Sequence, residues 1–346
     1  MKQSRRYTRL IGGVAVAVIA IGSAVGCGRS EVATPVLNGT WGEVVSAAQN
    51  EGRIVLFNGT DRAPAQRVSE AFNEKYPNIE VQIEQGTKDM LARVSAQIDT
   101  GIDGADVFLT SDESFFTSRP DEFLPTVGPG VEGIYPESWV VEGAVANFSA
   151  SPYSTFVWNT DRYPQGIDDW DDFLDPDLKG SLAIRGNSTR SSIGFIEFLE
   201  SQFGPDYLQA IGNQDPKLYP SAQPIVQAVA AGEAKASMIA IPSSVQDLKE
   251  AGAPIDYHIP DEGFGLEHQA GALTSAHRPN AAMVFVDFLL SPEGQAAWIG
   301  SGLGSVARDG VPRALDLSRY TMLDASKYSS SDVSAWQARI ASIFHQ

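Results

Sequence analysis

Two short stretches of this 346-residue chain carry residue types suited to holding an anion: Ser243-Ser244, and Asn187-Ser188-Thr189-Arg190-Ser191-Ser192. Each follows an apolar run and precedes residues with helical spacing. A helix that starts there presents backbone N–H groups without intrahelical partners, and its dipole favours negative charge at that end. The hydroxyls add donors, and Arg190 offers a two-pronged partner for a carboxylate or a phosphonate. Arg62 is a second candidate of the same kind, although a lone arginine is usually a solvated surface residue. The alternative is capping, in which a serine or threonine satisfies the orphan donors and stabilises the helix by about 1 kcal/mol with no ligand.

Other residue types leave other chemistry open. A cationic solute such as a polyamine calls for carboxylates and aromatics, and Asp61, Asp112, Glu113, Glu262 and Glu267 are available. Tyr153 and Trp158 either line a pocket or belong to a core. Catalysis finds no support: the chain has no Gly-x-Ser-x-Gly, no His-Glu-x-x-His and no phosphate-binding loop of the Gly-x-x-x-x-Gly-Lys type. The four histidines, His258, His268, His277 and His345, lack metal-ligand spacing. No enzyme, cofactor or metal is therefore expected. The acidic run 168–172 reads as a solvated turn with Trp170 buried.

The elements that must position these residues alternate between strand and helix. Residues 54–58 form a short apolar run, Val68, Ala71, Phe72 and Tyr76 recur at helical spacing, and Ile79, Val81 and Ile83 alternate as a second strand. Thr87 stands where a cap for the next helix belongs, with Met90, Leu91, Val94 and Ile98 on its apolar face, and 106–109 is a third strand. This order predicts a parallel sheet covered by helices, whose ligands sit at the carboxyl ends of the strands. The loops 59–63, 86–89 and 110–114 then bring Thr60, Asp61, Arg62, Ser111 and Asp112 to the site. A second α/β unit starts near Pro152. It has strands at 155–158, 182–185 and 237–241, helices at 191–203, around Ile225 to Val229 and at 243–251, and a strand at 255–259 that returns the chain to the first unit. From Gly271 onward the pattern reads as helix.

Composition narrows the partners. The chain has 25 basic and 43 acidic residues, for a net charge of −18. A surface that acidic repels phosphate backbones, so no nucleic-acid partner is expected. Lys2, Arg5, Arg6 and Arg9 precede an uncharged apolar stretch from residue 10 to 24, the order of a secretory signal. That stretch falls short of the ~20 residues of a spanning helix. Ala24-Val25-Gly26-Cys27 resembles the lipobox of bacterial lipoproteins, which implies cleavage before Cys27 and acylation of this single cysteine; an ordinary cleavage site is the alternative. Residues 1–26 are then a signal peptide and 27–38 a flexible tether, leaving a mature net charge of −22 on about 320 residues, enough for two ordinary domains.

A set of segments in fixed order carries a wider resemblance. It comprises Gly-Arg-Ile-Val-Leu-Phe-Asn at 52–58, Ala-Phe-Asn-Glu-Lys-Tyr-Pro at 71–77, Ala-Asp-Val-Phe at 105–108, Trp-Asn-Thr-Asp at 158–161, Leu-Lys-Gly at 178–180, Gly-Glu-Ala at 232–234 and Phe-Leu-Leu-Ser-Pro-Glu-Gly-Gln at 288–295. Together they resemble the type 2 periplasmic binding proteins, in the group that holds iron(III), thiamine, polyamine and phosphonate binders. The resemblance implies an α/β fold of two lobes, each a mainly parallel sheet flanked by helices, joined by crossing strands near residues 144–155 and 257–270. Lobe one is expected from 39–148 and 266–346, lobe two from 149–265. Glu267 and His268 fall at the return crossing, as hinge or pocket residues.

Iron-binding members of the group often carry adjacent tyrosines where this chain reads Pro242-Ser243-Ser244, and histidine and glutamate where it offers Asp61 and Ser111. The resemblance therefore implies the monomeric solute-binding subunit of an ABC importer, outside the cytoplasm and anchored through Cys27, which passes a small solute to a permease with a cytoplasmic ATPase. An organic anion is the first choice of solute, with iron(III), thiamine or polyamine as alternatives. A ligand sensor or an enzyme on the same architecture is the alternative of another class.

Overall fold

The computed structural model describes residues 33–86, 90–187, 189–301 and 303–344. The export segment, Cys27, Thr87 and Ser188 lie outside the described residues. Helix α1 (Trp41–Glu51) opens on a capping box between Thr40 and Glu43 and ends at Gly52, whose positive φ of 72° suits a residue without a side chain. Then β1 (Arg53–Asn58), α2 (Arg62–Lys75), β2 (Glu80–Gln85), α3 (Met90–Thr100) and β3 (Val107–Thr110) alternate as the apolar spacing predicts. These three strands pair in parallel, with β1 between β2 and β3. Asp106 pins the layer: it accepts from the Val55 N–H at 2.8 Å and from Arg278 Nε at 2.6 Å, with Arg278 standing just before a later helix.

After α4 (Glu113–Thr117) and β4 (Trp139–Val141), β5 (Val145–Pro152) leaves lobe one. Lobe two follows with β6 (Ser154–Asn159), β7 (Ala183–Arg185), α5 (Arg190–Phe203), α6 (Pro205–Asn213), β8 (Lys217–Tyr219), α7 (Ala222–Ala230), β9 (Ala236–Ile239), α8 (Pro242–Glu250) and β10 (Ile255–His258). The chain returns through β11 (Phe264–Ala272) and continues as α9 (Pro279–Leu290), α10 (Pro292–Ile299), β12 (Ser305–Val306), β13 (Thr321–Met322) and α11 (Ser330–Ile343).

The large sheet runs β12-β5-β11-β3-β1-β2. Its β2-β1-β3 portion has the expected parallel pairing, while β5 and β11 run antiparallel to each other because one carries the chain out and the other back. In lobe two β7 and β8 are parallel, and β10-β6-β9 is antiparallel. The strand predicted at 255–259 thus does not return the chain: it pairs with β6, and β11 makes the return. Nor is the chain helical from Gly271, which is still in β11; helix resumes at Pro279.

Each lobe has its own core. In lobe one Phe72 of α2 meets Phe285 and Phe288 of α9 at 5.1 and 5.5 Å, joining the two ends of the chain. In lobe two Phe156 meets Trp170 and Phe173 at 4.8 and 5.0 Å, and Trp170 is buried above exposed carboxylates, as its surroundings predict. Burying each such ring contributes about 2–3 kcal/mol.

Two boundaries shift from expectation. Residues 33–36 are not tether: the Val36 N–H donates to Asn280 Oδ1 at 2.8 Å and Asn280 Nδ2 to the Thr34 carbonyl at 3.0 Å, so this stretch docks on α9. The C-terminal helix α11 packs with lobe two rather than lobe one. Ile340 and Ile343 are buried in the core that holds Phe156, and a Cβ at Gly212 of α6 would collide with the Ile343 carbonyl. Its apolar face packs against α5 and α6.

Candidate functional site

The start of α8 faces a cleft between the lobes. Pro242 suits the first helical turn because its missing N–H would have had no partner there. The residue in the N-cap position is Ile241, which has no side-chain acceptor, and no side chain caps this helix. Ser243 is 7% exposed, and its hydroxyl has no partner among the described residues. It lines a pocket with Asp61, Ser149, Ser151, His268 and Trp298, drawn from both lobes and the crossing strands. Ser244 occupies the next position of the same turn. Capping, offered as the alternative for this pair, does not occur.

The start of α5 is different. Thr189 Oγ1 accepts from the Ser192 N–H at 3.3 Å and lies 3.1 and 3.0 Å from the hydroxyls of Ser191 and Ser192. Ser192 Oγ in turn donates to Asn187 Oδ1 at 3.1 Å. These side chains cap the helix and one another. Arg190 points to neither group: its Nη1 donates to Asp112 across the cleft, and its Nε to the Tyr328 carbonyl at 3.0 Å. The arginine expected to meet the solute is a bridge between lobes. Arg67 of α2 and Asp247 of α8 form a second bridge, at 3.8 Å.

Among the other predicted residues, Thr60 is spent in its own turn, its hydroxyl donating to Asn58 Oδ1 at 2.8 Å, and Arg62 is exposed with no ion pair among the described residues. Ser111 reaches His268 Nδ1 at 2.9 Å, and Ser151 reaches the opposite nitrogen Nε2 at 2.8 Å. Burial alone holds the His268 pKa down at about 4, so the ring is neutral at physiological pH. A neutral imidazole has one donor and one acceptor, so one serine gives a proton and the other takes one. His268 thus lines the pocket, on a crossing strand and next to a bulge in the β11–β5 pairing. Its neighbour Glu267 accepts from Asn147 Nδ2 at 3.1 Å and is pushed up, first by burial and then by the charge of Glu113. Tyr153 is buried in the lobe-two core.

Arg185, at the carboxyl end of β7, was not among the predicted site residues. Half-buried, it has among the described residues only long contacts through Nη1, 3.4 Å to Ser191 Oγ and 3.5 Å to the Tyr153 hydroxyl, and its buried Nε has no partner there. Across the cleft Asp61 stands in the N-cap position of α2 without making the cap bond, and its carboxylate has no ion pair among the described residues. Burial raises the Asp61 pKa to about 6, and the charge of Arg185 opposes that rise. The signal for Arg185 was in the sequence: an arginine that ends a strand just before a hydroxyl-rich helix start lies at the carboxyl edge of the sheet. No group of three metal-binding side chains occurs among the described residues, nor does any helix long and apolar enough to cross a membrane.

Comparison with solved structures gives the same fold at low identity. A substrate-binding protein of an ABC transporter from Agrobacterium tumefaciens superposes with a TM-score of 0.70 at 16% identity, covering 84% of this chain and 94% of its own. The periplasmic binding protein AfuA from Actinobacillus pleuropneumoniae, with fructose-6-phosphate bound, gives 0.66 at 20% identity, over 85% and 99%. Iron-bound HitA from Pseudomonas aeruginosa gives 0.59 at 18%, over 85% and 98%. These neighbours are transport proteins that bind their solutes rather than transform them, and proteins of this kind deliver small solutes to ABC permeases from outside the cytoplasm. The sequence profile described as "Bacterial extracellular solute-binding protein" matches residues 54–304, most of the chain, which therefore belongs to that family, as a type 2 solute-binding protein of the ABC transporters.

Proposed function

We propose that the solute is a small organic anion whose carboxylate, phosphate or phosphonate is held between Arg185 and the uncapped start of α8, with Ser243 and Ser244 as donors. The observation that carries this reading is the half-buried Arg185, which lacks good partners among the described residues and ends β7 beside β9, the strand that leads into α8, whose N-cap position holds no acceptor. A buried guanidinium left so poorly paired costs free energy that a bound anion recovers. The sugar phosphate bound to AfuA supports the class. Against iron(III), the turn at 242–244 supplies a proline and two serines, and a hydroxyl is a poor ligand for that cation.

The protein works as a monomer, exported by its N-terminal segment and held at the membrane by acylated Cys27. The lone cysteine after an apolar, charge-led segment supports this part of the reading.

A thermal-shift screen of residues 33–346 tests the solute. Fructose 6-phosphate, alkyl phosphonates and short carboxylates are compared with iron(III) and spermidine, and a ligand at ~100 times its Kd stabilises by about 2.7 kcal/mol. Stabilisation by at least one of the anions is expected. A response confined to iron(III) or spermidine would remove the anion assignment.

A further inference from the structure

The cleft holds a second unpaired charge, of the opposite sign. Asp61 on lobe one lines the pocket at the start of α8, and the charge of Arg185 on lobe two reaches it, yet the two form no ion pair. Among the described residues the Asp61 carboxylate has no hydrogen bond, although it lines the same pocket as Ser243, whose hydroxyl also lacks a partner there.

An anion held at the α8 start shares its pocket with the Asp61 carboxylate. Like charges so placed repel, and a site with an unfilled acceptor rejects ligands that bring no donor to it. We propose that the solute is dipolar, with its anionic group at Arg185 and the α8 start and an amine set against Asp61. The inference rests on the anion reading above and narrows it: Arg185 supplies attraction, and Asp61 supplies selection against simple anions. Arg190 and Asp112, which also carry opposite charges across the cleft, neutralise each other and take no part.

Calorimetry on residues 33–346 with matched probes tests it. Phosphoethanolamine is set against ethyl phosphate, β-alanine against propionate, and ethanolamine serves as the amine alone. At least one amine-bearing anion is expected to bind about tenfold or more tighter than its deaminated partner. Asp61→Asn, which removes the charge and keeps the shape, brings that ratio to near unity by weakening the amine-bearing member only. Because the wild-type ratios alone decide the matter, a poorly folded variant leaves the test intact.

Equal affinity of the deaminated partners, or binding of fructose 6-phosphate with no amine-bearing probe bound, overturns the dipolar assignment and leaves the anion reading standing. Binding of ethanolamine as tight as that of phosphoethanolamine overturns both. Failure of every amine-bearing probe at millimolar concentration also overturns the dipolar assignment.

Discussion

The two helix starts of lobe two, α5 at Arg190 and α8 at Pro242, have similar sequences and opposite electrostatics. Both follow a strand, both are rich in serine, and both face lobe one. At α5 the N-cap position holds Thr189, so hydroxyls and backbone satisfy one another and the arginine beside them is drawn to Asp112. At α8 the N-cap position holds Ile241, and the hydroxyl-bearing turn keeps its donors. The number of serines does not make an anion site. What decides is whether the residue just before the helix carries an acceptor.

Substitutions can break that comparison. The largest effect is expected at Arg185: Arg185→Gln lowers affinity for the best anion of the screen by about thirtyfold or more, since a charge-assisted contact to a desolvated anion is lost. Calorimetric titration reads this directly, and an unchanged Kd would return the role to some other group.

A smaller pair of effects separates the two helix starts. Ser243→Ala weakens binding by about tenfold, the cost of one hydrogen bond to a charged partner, and leaves the melting temperature without ligand unchanged. Thr189→Ala does the reverse: it costs about 1 kcal/mol of unliganded stability through the lost cap and leaves Kd nearly as it was. If both variants lost affinity alike, the distinction between the starts would be wrong.

The smallest effect is in pH. The Asp61 pKa rises from 3.8 to about 6 on folding, so the folded state holds the proton more tightly, and this group makes stability fall as pH rises from about 4 to 6. The His268 pKa drops from 6.5 to about 4, so the unfolded state binds more protons there, and stability rises with pH across nearly the same window. Arg185 opposes the first shift, and the second comes from burial alone, with Ser111 and Ser151 on the ring nitrogens. The two slopes oppose. Unfolding midpoints in denaturant at pH 4.5 and 6.5 should show Asp61→Asn gaining more with rising pH than wild type, and His268→Gln gaining less.

The fold was largely legible because it is written in periodicity. Phe72 and Val68 on α2, and the run at 54–58, place themselves by apolar spacing. Pairing direction was less legible, because β10 carries the same alternation whether it leaves a lobe or stays within it. Ser243, Ser111 and Asp61 were picked from their places after strands; Asp61 and Ser243 line one pocket, and Ser111 bonds the His268 that lines it too. Arg190, expected to meet an anion, bonds Asp112, 78 residues earlier in the chain, and the carbonyl of Tyr328. No local pattern records a contact made across a cleft. Arg185 escaped notice because a strand-ending arginine reads as a solvated edge unless its burial is known.

The path of the chain after β12 has a mechanical consequence. β13 runs beside the lobe-two end of β11, and the chain then enters the lobe-two core at Tyr328, so a third segment crosses beside β5 and β11. A ribbon three strands wide still bends across its width but resists twisting about its length. Rotation of one lobe against the other is therefore opposed more strongly than a swing, and only a swing keeps Arg190 opposite Asp112 and Arg67 opposite Asp247.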